Sequence, residues 1–218
     1  MNVLGIFGAG GLGREVLELA GCINRKNPTW DKFIFVNNGE QSADINGVQV
    51  CSYEEAKETY GDRLQTVIGI GEPAIREKVF RELREDHAKI ITLIHPDVHI
   101  PETTVIGEGV VINMGNFISC NAVIQDNVYI QPHTNIGHDC ILKEGCMISG
   151  FCNVAGAVHI GRYAYLGMSS CIKEKITVGD YSIVGMASAV YKDVPKEMIA
   201  MGNPARPMRK NEDRRVFK

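Results

Sequence analysis

The sequence predicts an α/β domain followed by a parallel β-solenoid, and three features of the chain support this fold class. Every sixth residue from Ile100 to Val190 is aliphatic, with no insertion and no change of phase. The residue four positions after each of these is small or modest in size. Before this repeat, short apolar runs alternate with amphipathic helical patterns, which is typical of a parallel sheet covered by helices.

A six-residue period is the signature of β-helix solenoids, in which each repeat is a short strand that cannot bury its face alone. A helical period of 3.6 residues would scatter the same positions around a cylinder. Three hexads close one triangular coil, so residues one coil apart should stack at the strand spacing of about 4.8 Å. The aliphatic side chains should fill the prism, and their positions are Ile100, Ile106, Ile112, Ile118, Ile124, Ile130, Ile136, Leu142, Ile148, Val154, Ile160, Leu166, Ile172, Val178, Val184 and Val190.

Composition excludes several classes of function. The chain has 218 residues, a hydrophobic content of 44% and a net charge of −3, so no general attraction to nucleic acid or anionic membranes is expected. No apolar run is long enough to span a bilayer, and no charged region precedes the first apolar strand. Seven cysteines without a secretory signal predict a reduced, cytoplasmic setting. Cys140, Cys146 and Cys152 are interpreted as small inward-facing fillers, and no metal is expected.

The first domain is predicted over residues 1–94, and its first motif is a glycine loop. A strand at residues 3–7 runs into this loop, and a helix follows from Arg14 to about Ile23. A glycine turn between strand and helix can cradle a phosphate, because the helix N-terminus offers free N–H groups. The ligand-binding glycines are predicted to be Gly8, Gly10, Gly11 and Gly13. A tight turn without a ligand remains the alternative.

The ligand of this domain is predicted to be a mononucleotide or a nucleotide sugar. The second strand, residues 32–36, ends in Asn37-Asn38, whereas a dinucleotide site would have an acid there. The domain is also too short for the two-halved dinucleotide fold. The remaining predicted elements are a strand at residues 48–50, a helix opening with the Ser52–Glu55 capping box, a strand at 64–70, a helix at 73–85 and a last strand at 89–93.

The densest polar cluster of the solenoid, residues 132–139, carries the candidate chemistry. His138 follows inward-facing Ile136 by two residues and should therefore point outward. Histidine is the side chain best suited to accept a proton near neutral pH, and Asp139 is placed to hold its ring. Gly156 lies one coil later, so its N–H should stand over the same strip of surface as a donor to an oxyanion.

The whole chain resembles the NeuD/PglD family of bacterial sugar acetyltransferases, which act in cell-surface glycan pathways. The matching motifs are the glycine loop, LIHP at residues 93–96, IGHD at 136–139, VAGAVHIG at 154–161 and MGNPARPMR at 201–209. The resemblance implies a left-handed β-helix over residues 95–200, a C-terminal segment over 201–218, and acetyl-CoA as co-substrate. It also implies that His138 is the general base, that Asp139 orients it, and that Gly156 supplies the oxyanion amide. The family is trimeric, with each active site between neighbouring solenoids.

The ligand contacts are assigned partly on this resemblance. Besides the glycine loop, the predicted sugar-nucleotide contacts are Asn37, Gly71 and His133. The predicted acetyl-CoA contacts are Gly156, Met147, Gly202, Pro204, Arg206 and Arg209. The chain departs from the family pattern in three respects: Leu12 replaces a frequent histidine, Asn37-Asn38 replaces an acidic pair, and Met147 replaces a histidine that meets the pantetheine arm in some members.

The predicted function is N-acetylation of a nucleotide-linked amino sugar by a homotrimer, without nucleic-acid or membrane partners. O-acetylation of sialic acid or another sugar is the alternative. Two further alternatives are a non-catalytic nucleotide-sugar-binding protein and a metalloenzyme like the γ-carbonic anhydrases. The metalloenzyme would use His133 and His138, which have a suitable spacing, but position 97 is Asp where a third histidine is needed and His99 is the nearest.

Overall fold

The computed structural model describes residues 2–39 and 44–217. Its first part is a sheet flanked by helices, with β1 (Val3–Phe7), α1 (Gly11–Lys26), β2 (Lys32–Val36), β3 (Asp44–Ile45), β4 (Val48–Cys51), α2 (Tyr53–Tyr60), β5 (Leu64–Ile68) and α3 (Pro73–Glu85). The strand order is β3-β4-β2-β1-β5, and all neighbours are parallel except the β3–β4 hairpin. The central strand β1 is buried along its whole length, as expected for a strand with neighbours on both sides.

Local sequence signals explain where the helices of this domain begin. The Ser52 side chain accepts from the Glu55 N–H, and the Glu55 carboxylate accepts from the Ser52 N–H, so α2 opens with the predicted capping box. Helix α3 opens with Pro73, whose missing N–H would have no partner in a first turn. Helix α1 starts inside the glycine loop, at Gly11, and is longer than predicted.

The predicted strand at residues 89–93 is wrong. Only Ile90 bridges the first sheet, opposite Thr66. The chain then leaves the domain, and Leu93–Ile94 forms β6, whose Leu93 N–H donates to the Val110 carbonyl of the solenoid at 2.8 Å. A short, largely apolar segment therefore contributes to two sheets, and its hydrophobicity pattern cannot be distinguished from that of one strand.

The second part is a three-sided left-handed β-helix, as predicted. Its strands are two residues long up to β21, and a hairpin, β22–β23, follows. The bounds are β7 (Val105–Ile106), β8 (Val111–Ile112), β9 (Phe117–Ile118), β10 (Val123–Ile124), β11 (Tyr129–Ile130), β12 (Asn135–Ile136), β13 (Ile141–Leu142), β14 (Met147–Ile148), β15 (Asn153–Val154), β16 (His159–Ile160), β17 (Tyr165–Leu166), β18 (Cys171–Ile172), β19 (Thr177–Val178), β20 (Ile183–Val184), β21 (Ala189–Val190), β22 (Met198–Gly202) and β23 (Ala205–Lys210).

The register of the solenoid follows the sequence repeat. Residues one coil apart pair in parallel, as Asn135 does with Asn153, and the aliphatic residue of each strand points inward. The three inward cysteines are fully buried among these side chains. At the corners, every sixth residue from Gly109 to Ala187 has a positive φ, which lets the chain turn sharply between short strands.

The three sheets of the prism have different surroundings. The docked face, β6-β8-β11-β14-β17-β20-β22-β23, lies against the first domain. The open face consists of β9, β12, β15, β18 and β21, and the side face of β7, β10, β13, β16 and β19. Outward residues of the docked face are large and apolar, and Tyr129 and Met147 are buried under α1 and β1. Each such side chain contributes about 1.5–3 kcal/mol when removed from water.

Candidate active site

His138 stands at the corner between the open face and the side face, called here the His138 corner. Its side chain is 62% exposed, and its Nδ1 lies 2.7 Å from Oδ2 of Asp139. Because Nδ1 is held by the carboxylate, Nε2 is the ring nitrogen available to a substrate proton. A Cβ built on Gly156 would overlap this imidazole at Nε2, so only glycine lets the ring lie against the backbone there.

The carboxylate beside the imidazole is itself held in place. Asp139 accepts a second hydrogen bond from the Asn121 side chain, one coil earlier, at 3.0 Å. The hydrogen bond with His138, and then the one from Asn121, lower the pKa of the Asp139 carboxyl. Asp139 is therefore ionised at neutral pH and accepts the hydrogen bond from His138 Nδ1 as a carboxylate.

The backbone of Gly156 lies against the imidazole ring of His138. Within residues 2–39 and 44–217, no protein group accepts a hydrogen bond from the Gly156 N–H, whereas the Gly156 carbonyl accepts from the Lys175 N–H at 3.0 Å. A groove of about 410 Å³ begins beside it at Ala155 and follows the open face toward the C-terminal coils. Its lining includes Asn135, Asn153, Cys171, Lys173 and Tyr191. An imidazole bonded to an ionised carboxylate and a backbone N–H without a protein acceptor thus lie beside one end of an open groove.

A second cavity, of about 490 Å³, lies between the glycine loop and the docked face. We call it the interdomain pocket, and its lining is Gly8, Gly10, Gly11, Leu12, Glu15, Gly69, Ile70, Gly71, Glu72, Gln131, Met147, Tyr165 and Phe217. Helix α1 has no side-chain cap and no acidic residue in its first turn. The backbone N–H groups of its first turn therefore have no side-chain acceptor, and such groups form a site that suits an anion such as a phosphate.

The glycines of the loop fall into two groups. A Cβ on Gly13 would overlap the Gly8 carbonyl oxygen, and Gly8 has a φ of +98°, so these two permit the close packing of α1 on β1. A Cβ added to Gly10 or Gly11 would have no atom within 4 Å, so these two glycines face open space in the pocket. Gly71 also lines the pocket, and its contact with a sugar nucleotide stays a prediction.

Three predicted contacts lie outside the cavity to which their predicted ligand is assigned, namely Met147, Asn37 and His133. Met147 is 2% exposed and lines the interdomain pocket, away from the groove in which a pantetheine arm was expected. Its outward strand position falls on the docked face, which explains the difference. Asn37 does not line the pocket, and its side chain accepts from the Gly39 N–H at 3.2 Å. His133 lies at the corner between the docked and open faces, called the His133 corner, where it stacks on Phe151 at 5.1 Å.

The remaining predicted contacts lie on the terminal hairpin. Gly202 and Pro204 form the turn of β22–β23, which contains the cis peptide bond Asn203–Pro204 and is held by the Gly202 N–H donating to Ser188 Oγ at 3.0 Å. Arg206 and Arg209 follow on β23 with exposed side chains. They lie at the C-terminal end of the solenoid, toward which the groove of the open face leads.

The structure adds no metal centre to this arrangement. In the described part of the chain, no group of three or more His, Cys, Asp and Glu side chains could hold a metal ion. All seven cysteines are unpaired, and burial raises the pKa of the Cys140 thiol. Across the same residues, no helix is long and apolar enough to cross a membrane.

Sequence reasoning missed much of the interdomain pocket. Glu72, Gln131, Tyr165 and Phe217 come from four separate segments, and no local motif joins them. The sequence does contain one pattern that indicates the covered face, and it repeats once per coil. Outward positions on the docked face are all large and apolar, whereas those of the open face are mixed, and the docked-face positions are Val111, Tyr129, Met147, Tyr165 and Ile183.

Two family models match the chain. The PglD N-terminal domain matches residues 3–83, and the bacterial transferase hexapeptide model, of six repeats, matches residues 121–156. The second range contains His138, Asp139 and Gly156. Among curated proteins, galactoside O-acetyltransferase of Escherichia coli is 38% identical over 55 residues, which are 25% of this chain. The chain spans about a quarter of the length of the curated relatives that it matches.

Solved structures match nearly the whole chain. The acetyltransferase domain of PglB from Neisseria gonorrhoeae, in complex with acetyl coenzyme A, has a TM-score of 0.88 and 27% identity, and the match covers 95% of this chain and 100% of that one. WeeI from Acinetobacter baumannii has a TM-score of 0.89 at 27% identity, with coverages of 95% and 100%. A mutant of perosamine N-acetyltransferase from Caulobacter crescentus, in complex with CoA and GDP-perosamine, has a TM-score of 0.85 and 25% identity, with coverages of 96% and 98%.

Proposed function

We propose that this chain, which belongs to the NeuD/PglD family of sugar acetyltransferases, transfers the acetyl group of acetyl-CoA to the amine of a nucleotide-linked amino sugar. The observation that carries the proposal is the packing of the Gly156 backbone against His138 Nε2, beside the end of the open-face groove at Ala155. The interdomain pocket, with the free N-terminus of α1, supplies a separate site for the nucleotide sugar. Acetylation of a sugar hydroxyl is the second candidate, supported by the local match to an O-acetyltransferase.

The mechanism follows from the roles of three groups. His138 Nε2 accepts a proton from the sugar amine as its nitrogen attacks the thioester carbonyl. The Gly156 N–H donates to the oxyanion of the tetrahedral intermediate, and ionised Asp139 stabilises the imidazolium. When the intermediate collapses, the C–S bond breaks and the imidazolium returns its proton to the CoA thiolate.

No covalent acetyl-enzyme is required. Cys140 and Cys152 are buried inside the prism, and burial raises the pKa of both thiols, so the thiolate form needed for attack is disfavoured. The thioester is already activated, and two sites that hold both substrates together allow direct transfer. We propose that acetyl-CoA lies along the open-face groove and that Arg206 and Arg209 meet its phosphates.

We further propose that each active site is shared between two copies of the chain. The interdomain pocket lies on the docked face, whereas His138 stands at the corner opposite that face, so a sugar in the pocket points away from the His138 of its own chain. Gln131 lines the pocket at the edge nearest the His133 corner. In a ring of three chains, the His133 corner of one copy would lie beside the His138 corner of the next.

Exposed apolar side chains support this arrangement. A patch at the His133 corner and on the adjoining open face is solvent-exposed in the single chain, and a neighbouring copy would cover it. Its members are Met114, Phe117, Phe151, Met168 and Met186, which are 51–75% exposed. We place the enzyme in the cytoplasm, as a homotrimer acting in surface-polysaccharide synthesis.

A panel of nucleotide-linked amino sugars and sialic acid, incubated with acetyl-CoA and followed by mass spectrometry, tests the function. We expect one 4-amino or other amino-sugar nucleotide to gain an acetyl group with stoichiometric release of free CoA. Acetylation at oxygen alone would favour the second candidate. A trimer that binds acetyl-CoA and turns over none of the panel would contradict the proposed reaction.

A further inference from the structure

The segment that follows β23 is anchored on the last coils of the solenoid. Asn211 is buried, its N–H donates to the Glu197 carbonyl at 2.8 Å, and its side chain donates to the Tyr181 carbonyl at 3.0 Å. Arg214 donates to the Glu197 carboxylate at 2.8 Å and lies 4.0 Å above the Tyr181 ring. These contacts fix the direction in which the segment leaves the solenoid.

From this anchor the segment crosses to the first domain. The Val216 N–H lies 3.0 and 3.2 Å from the two Glu72 carboxylate oxygens, and the Phe217 N–H donates to the same carboxylate at 2.9 Å. Glu72 immediately precedes α3, is 7% exposed and lines the interdomain pocket. A buried carboxylate requires hydrogen-bond donors, and the segment provides them. The position of the segment is therefore tied to the wall of the pocket.

The Phe217 ring completes that wall. It meets the Tyr165 ring edge to face, with 5.7 Å between centroids and 85° between planes. Its Cε2 would lie 3.5 Å from a Cβ built on Gly71. The residue nevertheless remains 50% exposed, so part of its surface faces the cavity and the solvent without a protein partner.

We propose that Phe217 is a specificity-determining residue of the sugar-nucleotide site, whose ring packs on a flat face of the bound ligand. This inference rests on the proposed function, because it needs a nucleotide sugar in the interdomain pocket. A phosphate at the N-terminus of α1 would leave the rest of the ligand between the glycine loop and the aromatic pair Tyr165–Phe217. Nucleobases and pyranose rings both present flat faces that aromatic side chains bind.

A purely structural role would have a different consequence. If Phe217 only helped to tie the segment to the first domain, its loss would lower thermal stability and weaken all ligands alike. The Phe217 N–H remains in any side-chain variant, so its hydrogen bond to Glu72 is preserved. Phe217→Ala removes the ring, and Phe217→Leu keeps an apolar contact with Tyr165 but has no flat face. Met208→Ala is the control, since Met208 is an exposed apolar residue of β23 outside the pocket.

The experiment is isothermal titration calorimetry of the full chain with UDP, GDP, dTDP and a commercial nucleotide sugar of each, and with acetyl-CoA. We expect Phe217→Ala and Phe217→Leu to weaken the best nucleotide ligand on the order of tenfold, the size of one lost stacking contact. Acetyl-CoA affinity and the melting temperature of Phe217→Leu should match those of Met208→Ala and the wild type. If the variants bind the nucleoside diphosphate more weakly, the base is the stacked group. If they bind only the nucleotide sugar more weakly, the stacked group is the pyranose.

Two results would overturn the inference, and they are distinguishable. If the wild type binds a nucleotide ligand and Phe217→Leu binds it equally well, the ring is not a ligand contact, and the proposed function is untouched. If the wild type binds acetyl-CoA but none of the nucleotide probes, the assignment of the pocket fails, and the inference fails together with it.

Discussion

At the scale of single residues, the position of Asp139 on the coil determines what its side chain can do. Asp139 occupies a corner position with a φ of +57°, a backbone conformation that Asp tolerates better than most residues. The turn that follows brings its carboxylate to the ring of the preceding His138. Two adjacent residues thus form a hydrogen-bonded imidazole–carboxylate pair, and no second strand or turn is needed to supply the carboxylate.

Replacing His138 with Ala should lower kcat by about 100-fold or more, the usual contribution of a positioned general base. The side chain is largely exposed, so its truncation leaves no cavity and the melting temperature should be unchanged. His159→Ala is the matched control, because His159 is an exposed outward residue of the side face. Steady-state kinetics measure the effect, and near-native turnover of the His138 variant would remove this residue from the mechanism.

Replacing Asp139 with Asn should lower kcat and leave the fold intact. The hydrogen bond with His138, followed by the one from Asn121, lowers the pKa of the Asp139 carboxyl, so the wild type presents a negative charge to the ring. The neutral amide cannot stabilise the imidazolium that forms during transfer, and its NH2 can face Nδ1 and disturb the orientation of the ring. Steady-state kinetics measure the loss, and wild-type turnover in the Asn variant would show that the carboxylate does not act through the imidazole.

At the scale of elements, the glycine loop combines packing glycines with glycines that face a cavity. Gly13→Ala should displace α1 from β1 and lower the melting temperature strongly, since its Cβ would overlap the Gly8 carbonyl. Gly11→Ala has free space and should be neutral, or stabilising by about 0.5–1 kcal/mol, because it replaces a helical glycine.

The larger Gly11→Val variant tests what occupies that free space. Its branched side chain should raise the KM for the sugar nucleotide sharply while the KM for acetyl-CoA stays within a few-fold. Thermal denaturation of the same variant provides the control for folding. If acetyl-CoA binding is lost and sugar-nucleotide binding is kept, the two ligands have been assigned to the wrong sites.

The elements differ in how far the sequence predicts them. The solenoid strands follow from a repeat that constrains every sixth residue, and the approach of Gly156 to His138 follows from counting one coil. The end of the first sheet near residues 89–93 and the place of Met147 cannot be predicted from the repeat, because both depend on which face of the solenoid the first domain covers. The interdomain pocket depends on the same docking, and local patterns carry no information about it.

At the scale of the molecule, the two parts are joined by a buried cation. Arg76 of α3 is fully buried, donates to the Ile68 and Ile70 carbonyls at 3.3 Å, and donates to the Asn127 side chain of the solenoid at 2.7 Å. Burial lowers the pKa of this guanidinium to about 10. The Ile68 and Ile70 carbonyls flank Gly69 in the wall of the interdomain pocket. The Arg76 side chain therefore connects this wall to the solenoid on which the first domain packs.

Asn127→Gly should destabilise the protein by about 2 kcal/mol, because it removes an acceptor from a buried charge. Glycine tolerates the positive φ of this corner, so backbone strain does not contribute. Ser169→Gly is the control, since Ser169 has the same corner conformation and is exposed. Equal melting temperatures for the two variants would show that the Arg76–Asn127 contact contributes little to docking.

A site built from two chains can be tested by subunit complementation. Gly11→Val leaves an intact His138, and His138→Ala leaves an intact pocket. The two variants are mixed one to one and allowed to assemble together into trimers. If each pocket works with the His138 of a neighbouring chain, about one interface in four should then combine an intact pocket with an intact histidine. We expect about a quarter of wild-type activity at low sugar-nucleotide concentration. Activity no higher than the mean of the two parent variants would contradict a site built from two chains.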